Sequence, residues 1–180
     1  MEFNQVAASR RSIRHYDAEK SVSQGQIEEM IEAAILAPSW KNSQTARYHV
    51  VMNPDLVETL RTDCLPAFNV ANSAGASALI VTSFVKGRSG FNPDGTPSNE
   101  LGDGWGLYDL GLHNENLVLK ASDLGLDTLI MGIRDAGKLR ALLEIPQEEI
   151  PVSVIAVGIR SQEASMPRRK TVADITTFFI

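Results

Sequence analysis

The chain has 180 residues, a formal net charge of −5 and 43% apolar residues, which suits one compact domain over residues 1–180 with a real core. An acidic balance with no basic stripe excludes a general nucleic-acid binder, and no apolar run is long enough to span a bilayer. Its single cysteine, Cys64, excludes an intramolecular disulfide and a multi-cysteine metal site; with no signal peptide visible, a cytoplasmic protein is the default expectation.

Residues 2–9 read as a short helix with Phe3, Val6 and Ala7 on one side. Arg10-Arg11-Ser12-Ile13-Arg14 follows, with three guanidinium groups and a hydroxyl in five residues. Guanidinium forks match a phosphate or a carboxylate, and serine adds a short, adaptable hydrogen bond. The cluster reads either as an anion site or as a solvated basic turn. A second cluster, Arg168-Arg169-Lys170, stands at the far end of this acidic chain. If the fold joins the two, they form one phosphate site built from both ends.

Ser23, with Gln26 three residues on, starts a helix. Ile27, Met30, Ile31, Ala34 and Ile35 continue it at helical spacing, and Pro38 ends it. Residues 39–44 form a polar loop around Trp40. Residues 48–52 read as a strand stopped by Asn53-Pro54, then 55–65 as a helix with Leu56, Leu60 and Cys64 on one face. A short helix covers 67–74. Residues 78–85 are nearly all apolar or β-branched and read as a buried strand.

Residues 87–104 carry five glycines and two prolines and cannot hold regular structure; such a loop is a lid, a binding loop or a plain surface excursion. The longest helix spans 105–124, with Leu110, Leu117 and Leu124 in one row, Leu107, Asn114 and Ala121 in the next, and Gly125 as its stop. A strand at 128–133, a helix at 135–143 and a strand at 152–159 follow. Residues 175–180 are apolar and β-prone, and a terminal strand of that kind needs a partner. Neither G-x-G-x-x-G after a strand nor a P-loop is present. His15, His49 and His113 are scattered, and none is assigned catalysis.

Four motifs in order resemble the flavin-dependent nitroreductases. They are Arg10-Arg11-Ser12-x-Arg14 with Tyr16; Ala37-Pro38-Ser39-x-x-Asn42-Ser43-Gln44; Asp109-x-Gly111 opening a helix that ends in Leu124-Gly125-Leu126, then Met131-Gly132; and Gly158 with Pro167-Arg168-Arg169-Lys170. The resemblance implies an α+β fold, a three-layer α/β/α sandwich around a mixed, mainly antiparallel sheet. It also implies a homodimer that exchanges its C-terminal strand and carries two FMN sites at the interface.

By the same resemblance, Arg10, Ser12 and Arg14 hold the phosphate and ribityl chain of FMN, joined by Arg168 and Lys170, while Arg11 borders the flavin. Pro38, Ser39, Trp40 and Asn42 come from the other subunit to border the ring, and Gln44 reaches the ribityl chain or ring edge. Asn69 and Asn72 align with the pyrimidine edge. Met131 and Gly132 present backbone N–H groups to N5 and O4. NAD(P)H donates hydride, and a nitroaromatic, quinone or similar small acceptor takes the electrons in ping-pong order, with the flavin carrying the chemistry and no metal. The alternatives are another flavin chemistry on the same fold, such as reductive dehalogenation or flavin destruction, and an FMN-binding protein without catalysis.

Departures from the resemblance carry their own expectations. Asn72 stands where well-known members often have a lysine, which implies a lower flavin potential or a compensating cation such as Lys41. Thr45-Ala46 replaces a frequent Pro-Trp. Trp40 and Lys41 stand where smaller residues are common; either they narrow the substrate face and favour flat or anionic acceptors, or Trp40 is a hydrophobic anchor in the dimer interface. The chain lacks the longer capping insertion of larger members, leaving 87–104 as the candidate cap.

Overall fold

The computed structural model describes residues 2–180. Its elements in order are α1 (Phe3–Ser9), α2 (Gln24–Ile35), a single 3-10 turn (Trp40–Asn42), β1 (Ala46–Val51), α3 (Pro54–Cys64), α4 (Ala67–Asn72), β2 (Ala78–Val85), α5 (Gly104–Asp123), β3 (Asp127–Met131), α6 (Ala136–Leu143), β4 (Glu149–Gly158) and α7 (Val172–Ile175). The four strands form one sheet in the order β1-β2-β4-β3, and every neighbouring pair is antiparallel. A parallel bridge from Ser12 to Thr128 on β3 supplies the one parallel contact described.

Helix starts follow local chemistry. The Ser23 hydroxyl accepts from the Gln26 amide at 3.2 Å while Gln26 Oε1 accepts from the Ser23 amide at 3.0 Å, so two orphan donors of α2 are satisfied reciprocally. Asn53 caps α3, with Pro54 at its first position, and Asp135 caps α6. At the end of α5, Gly125 takes φ +74° and the Leu126 amide reaches back to the Ala121 carbonyl at 2.8 Å, which closes the last turn.

Strand alternation splits the core in two. Leu79, Val81, Val154 and Ala156 pack with Val57, Leu60, Cys64 and Leu139 of α3 and α6. Ala78, Ile80, Ile155 and Val157 pack with Ile27, Met30, Leu117 and Ala121 of α2 and α5. The result is a three-layer α/β/α sandwich in which the central strands are covered on both faces. That explains why β2 and β4 read as continuous apolar runs. Helix α5 crosses β2 closely at Gly106, where a Cβ would run into the Phe84 ring, so glycine is what permits that approach. The lone thiol, Cys64, is buried in this core and unbridged, and burial pushes its pKa up.

Several boundaries differ from the sequence expectation by one to three residues, and one expected strand is missing. Strand β1 starts at Ala46 rather than residue 48. Strand β4 starts at Glu149 rather than residue 152, because the Glu149 carboxylate is buried against His49 Nε2 at 2.8 Å and Ser83 Oγ at 2.5 Å. The expected strand over 175–180 is absent from the single chain. Residues 176–180 have no regular structure, and Ile175, Phe178, Phe179 and Ile180 are exposed; an isolated strand has no ladder to hold it. No helix among the described residues is long and apolar enough to cross a membrane.

Two buried phenols give the fold an alkaline limit. Tyr16 and Tyr48 are both pushed far above the ordinary tyrosine value, mainly by burial; Asp127 pushes Tyr16 further and Arg14 opposes. An unfolded tyrosine ionises near pH ~10, whereas the folded chain keeps both protons. This contribution is therefore intact below about pH 10 and is lost above it, at about 1.4 kcal/mol per pH unit for each phenol. Urea midpoints are expected to hold to about pH 9.5 and then fall, and Tyr16→Phe is expected to flatten the fall by roughly half. Equal slopes in the two proteins would contradict this.

Candidate functional site

The segment after α1 is fixed by alternate residues. Ile13 and Tyr16 are buried. The Ile13 amide bonds the Thr128 carbonyl at 3.0 Å, the Asp17 amide bonds Ile159 O at 2.8 Å, and the Ser161 amide bonds His15 O at 2.9 Å. With Ile13 and Tyr16 committed inward, Ser12, Arg14 and His15 are left exposed. The chain leaving β4 runs alongside. Arg160 pairs with Tyr16 as a bridge, and the buried Asp127 accepts from Arg160 N at 2.7 Å, Nε at 2.9 Å and Nη2 at 2.6 Å. The hydrogen bond to Asp127 holds the Arg160 guanidinium even more firmly protonated.

This clamp brings both ends of the sequence to one hollow of about 550 Å³. Arg10, Arg11, Ser12 and Arg14 line it from one terminus, and Glu163, Pro167 and Arg169 from the other. Arg11 Nη1 donates to the Ala8 and Arg10 carbonyls at 2.6 and 2.8 Å, and Arg14 Nη1 to Ser12 O at 3.4 Å. Among the described residues none of Arg10, Arg11, Arg14 and Arg169 pairs with a carboxylate, and Glu163 is itself taken by Arg160 at 2.9 Å. Four guanidinium groups with donors to spare and a hydroxyl suit a phosphate dianion. The tail's contribution differs from the sequence expectation. Arg169 lines the hollow, whereas Arg168 and Lys170 are exposed outside its lining. No spacing rule tells which side chain of an exposed Arg-Arg-Lys run turns inward.

The other expected residues gather in two further places. At the first, Asn69 is buried in α4 and its Nδ2 donates to Ile133 O at 2.9 Å, tying α4 to the exit of β3. Met131 ends β3 with its side chain in the core, and Gly132 follows, exposed, with nothing within 4 Å of where a Cβ would stand. Asn72 is half-buried at the end of α4. The second place is the 38–44 turn. Pro38, Lys41, Asn42 and Gln44 are exposed and Ser39 and Trp40 half-buried. Ser39 Oγ accepts from the Gln44 amide at 3.1 Å. Lys41 Nζ stands 5.8 Å from the Trp40 ring centroid, and the Trp40 amide donates to Asp109 Oδ2 at 3.0 Å. Within one chain this turn forms no wall of the arginine hollow.

Sequence reading missed Asp109, Asp127 and Arg160 as organisers of these places. Their partners lie far off in the chain, so the Asp109-x-Gly111 motif marks Asp109 without showing what it holds, and no local pattern marks Asp127 or Arg160. Among the described residues no group of three or more His, Cys, Asp and Glu side chains is placed to hold a metal. His49 is occupied by Glu149, and His113 Nδ1 donates to the Asp109 carbonyl at 2.8 Å.

Known proteins share the family and the fold. The model of the nitroreductase family matches residues 7–159. A protein of Archaeoglobus fulgidus, provisionally named NADH dehydrogenase/NAD(P)H nitroreductase, is 30% identical over 160 residues, covering 86% of this chain and 83% of its own. A provisionally identified nitroreductase from Exiguobacterium sibiricum, crystallised in complex with FMN, shares the fold at a TM-score of 0.86 and 23% identity, over 99% of this chain and 98% of its own. The enone reductase CLA-ER, described as catalysing a step of gut-bacterial fatty acid saturation, has a TM-score of 0.86 at 20% identity, over 99% and 98%. With the family model spanning most of its length, the chain belongs to the nitroreductase family.

Proposed function

We propose that the protein is an FMN-dependent oxidoreductase that takes electrons from NAD(P)H and passes them to a nitroaromatic, quinone or similar acceptor. The observation that carries this reading is the hollow where Arg10, Arg11, Ser12 and Arg14 meet Arg169. Bound FMN supplies the two-electron redox chemistry. The chain's own residues do the rest. The guanidinium groups and Ser12 hold the phosphate. The Ser12–Thr128 bridge sets this anchor beside the start of β3, and three residues on, about 10 Å at strand rise, Met131 and Gly132 stand at its exit. That span would suit a ribityl chain, and Gly132, Asn69 and Asn72 would then border the ring. Backbone N–H groups there favour charge gained on reduction.

Pro38, Ser39, Trp40, Asn42 and Gln44 serve the ring of a second copy, in keeping with their place away from the arginine hollow of their own chain. The tail supports a homodimer. The outer edge of β3 is taken by residues 12–13, which leaves β1 as the open edge of the sheet. Phe178, Phe179 and Ile180 are exposed, and each large apolar side chain gains about 1.5–3 kcal/mol on burial. Deleting residues 175–180 is expected to convert a dimer to a monomer in sedimentation; a shortened chain as dimeric as the full one would remove the tail exchange.

Donor and acceptor use the same open face in turn, so parallel double-reciprocal plots are expected. The test is a visible spectrum of the FMN-reconstituted protein, followed by NADH and NADPH without oxygen. A yellow protein bleached by either donor, and recoloured by a quinone, is the expected result. A yellow protein that neither donor bleaches is a binding protein, and a colourless one has no flavin site.

A further inference from the structure

Three parts of the chain converge on one buried carboxylate. Asp109, 3% exposed on α5, accepts from the Trp40 amide at 3.0 Å and, through the same Oδ2, from the Ser89 hydroxyl. Ser89 Oγ in turn lies 3.2 Å from Ser43 Oγ. The 39–44 turn is therefore held at its second and its fifth residue by one hub, directly at Trp40 and through two hydroxyls at Ser43. It needs holding. Lys41, Asn42 and Gln44 are non-glycine residues at φ +46°, +56° and +50°, a conformation that persists only where surrounding contacts over-determine it.

The side chain of Trp40 depends on the same device. Its indole N–H is buried without an acceptor among the described residues, so no polar contact of its own fixes the ring. The ring is set by the backbone bond to Asp109 and by packing on Trp105 at 4.6 Å between centroids. Trp105 is fixed by its own N–H, which donates to Asn99 Oδ1 at 2.9 Å.

Asn99 belongs to the 87–104 loop, and that loop is closed on itself. The Gly87 amide donates to Asp103 Oδ1 at 2.7 Å across the base, the Ser98 amide donates to Gly90 O at 2.7 Å, and Ser98 Oγ donates to Asn92 Oδ1 at 2.9 Å. Gly90 is required in that closure: at φ +84°, a Cβ would stand 2.6 Å from Gly102 O. A segment tied at its base, waist and root is a fixed wall, with no free hinge at either end.

We propose that Asp109 is a positioning residue which, through Ser89 and the Trp40 amide, locks the 39–44 turn against a rigid 87–104 wall and thereby sets which acceptors the flavin face admits. The clause on acceptors rests on the flavin reading above. The locking itself does not.

The test uses Ser89→Ala, Asp109→Asn and Asp109→Ala in the full chain. Ser89→Ala removes one hydroxyl and keeps the proposal testable if Asp109→Ala fails to fold. Amide hydrogen exchange of the 39–44 peptide is read with and without FMN. Steady-state KM and kcat are read for p-benzoquinone and for the larger menadione. Exchange about tenfold faster at 39–44 is expected in Ser89→Ala and more in Asp109→Ala, with Asp109→Asn between. KM for menadione is expected to change about fivefold with kcat within about twofold, and KM for benzoquinone to change less. Unchanged exchange overturns the hub. Faster exchange with both KM values unmoved, or with kcat and KM altered alike for both quinones, overturns the role in acceptor choice. If the parent chain takes up no FMN, the flavin reading and the acceptor clause fall together, and the FMN-free exchange data alone decide the locking.

Discussion

Replacing Arg14 and Arg169 together by alanine is expected to weaken FMN binding about 10²–10⁴-fold, at two lost charge-assisted contacts of about 1.5–3 kcal/mol each. These side chains come from opposite ends of the sequence and line one hollow. Neither makes an ion pair among the described residues, and the bonds they donate go to the exposed Ser12 and Pro167 carbonyls, which water can satisfy when they go. Thermal stability without FMN is therefore expected to stay within about 0.5 kcal/mol of the parent. The paired control is Arg168→Ala with Lys170→Ala. It removes the same formal charge, here from the C-terminal cluster alone and from outside the lining, and is expected to change FMN affinity less than about tenfold through long-range attraction alone. Fluorescence titration of both double variants checks the difference. Equal losses would mean that the tail supplies general positive potential rather than a directed contact.

Asp127→Ala is expected to be the most destabilising change near the site. The carboxylate is 5% exposed and takes three hydrogen bonds from Arg160. Its loss leaves a partly buried guanidinium and a backbone N–H without their acceptor. A fully buried pair broken on one side costs about 3–5 kcal/mol; with the Arg160 side chain 27% exposed, about 3 kcal/mol is expected. Because Arg160 bridges Tyr16, and the Ser161 amide bonds His15 O, the loss also frees the two termini from each other. FMN affinity should fall along with stability, although Asp127 lies outside the hollow's lining. Urea unfolding and FMN titration of the same variant check both parts. A drop in stability with FMN affinity unchanged would show that the clamp does not assemble the hollow.

Much of this fold is legible in the sequence because its signals are local. Ser23 and Gln26 announce α2, the apolar run at 78–85 announces β2, and the seven-residue spacing of Leu110, Leu117 and Leu124 announces α5. What escapes is set by distant partners. A glutamate at 149 and a proline at 151 argue against a strand, yet β4 begins at Glu149 because His49 and Ser83, on two other strands, satisfy its carboxylate. The tail at 175–180 has strand composition and no strand in the single chain, where it pairs with no edge of its own sheet. In the site, the Arg-x-Ser-x-Arg pattern is visible as chemistry. The organising roles of Asp109 and Asp127 depend on contacts across the fold, and an exposed Arg-Arg-Lys run carries no spacing that singles out Arg169.

The most direct measurement is a side-by-side titration of the purified chain with FMN and with riboflavin, which differ by the phosphate alone. Anchoring by four guanidinium groups predicts tight FMN binding and riboflavin binding weaker by about 10³-fold or more, with inorganic phosphate competing for FMN. Equal affinity for the two flavins, or indifference to phosphate, would contradict the claim that both ends of the chain are brought together to hold that group.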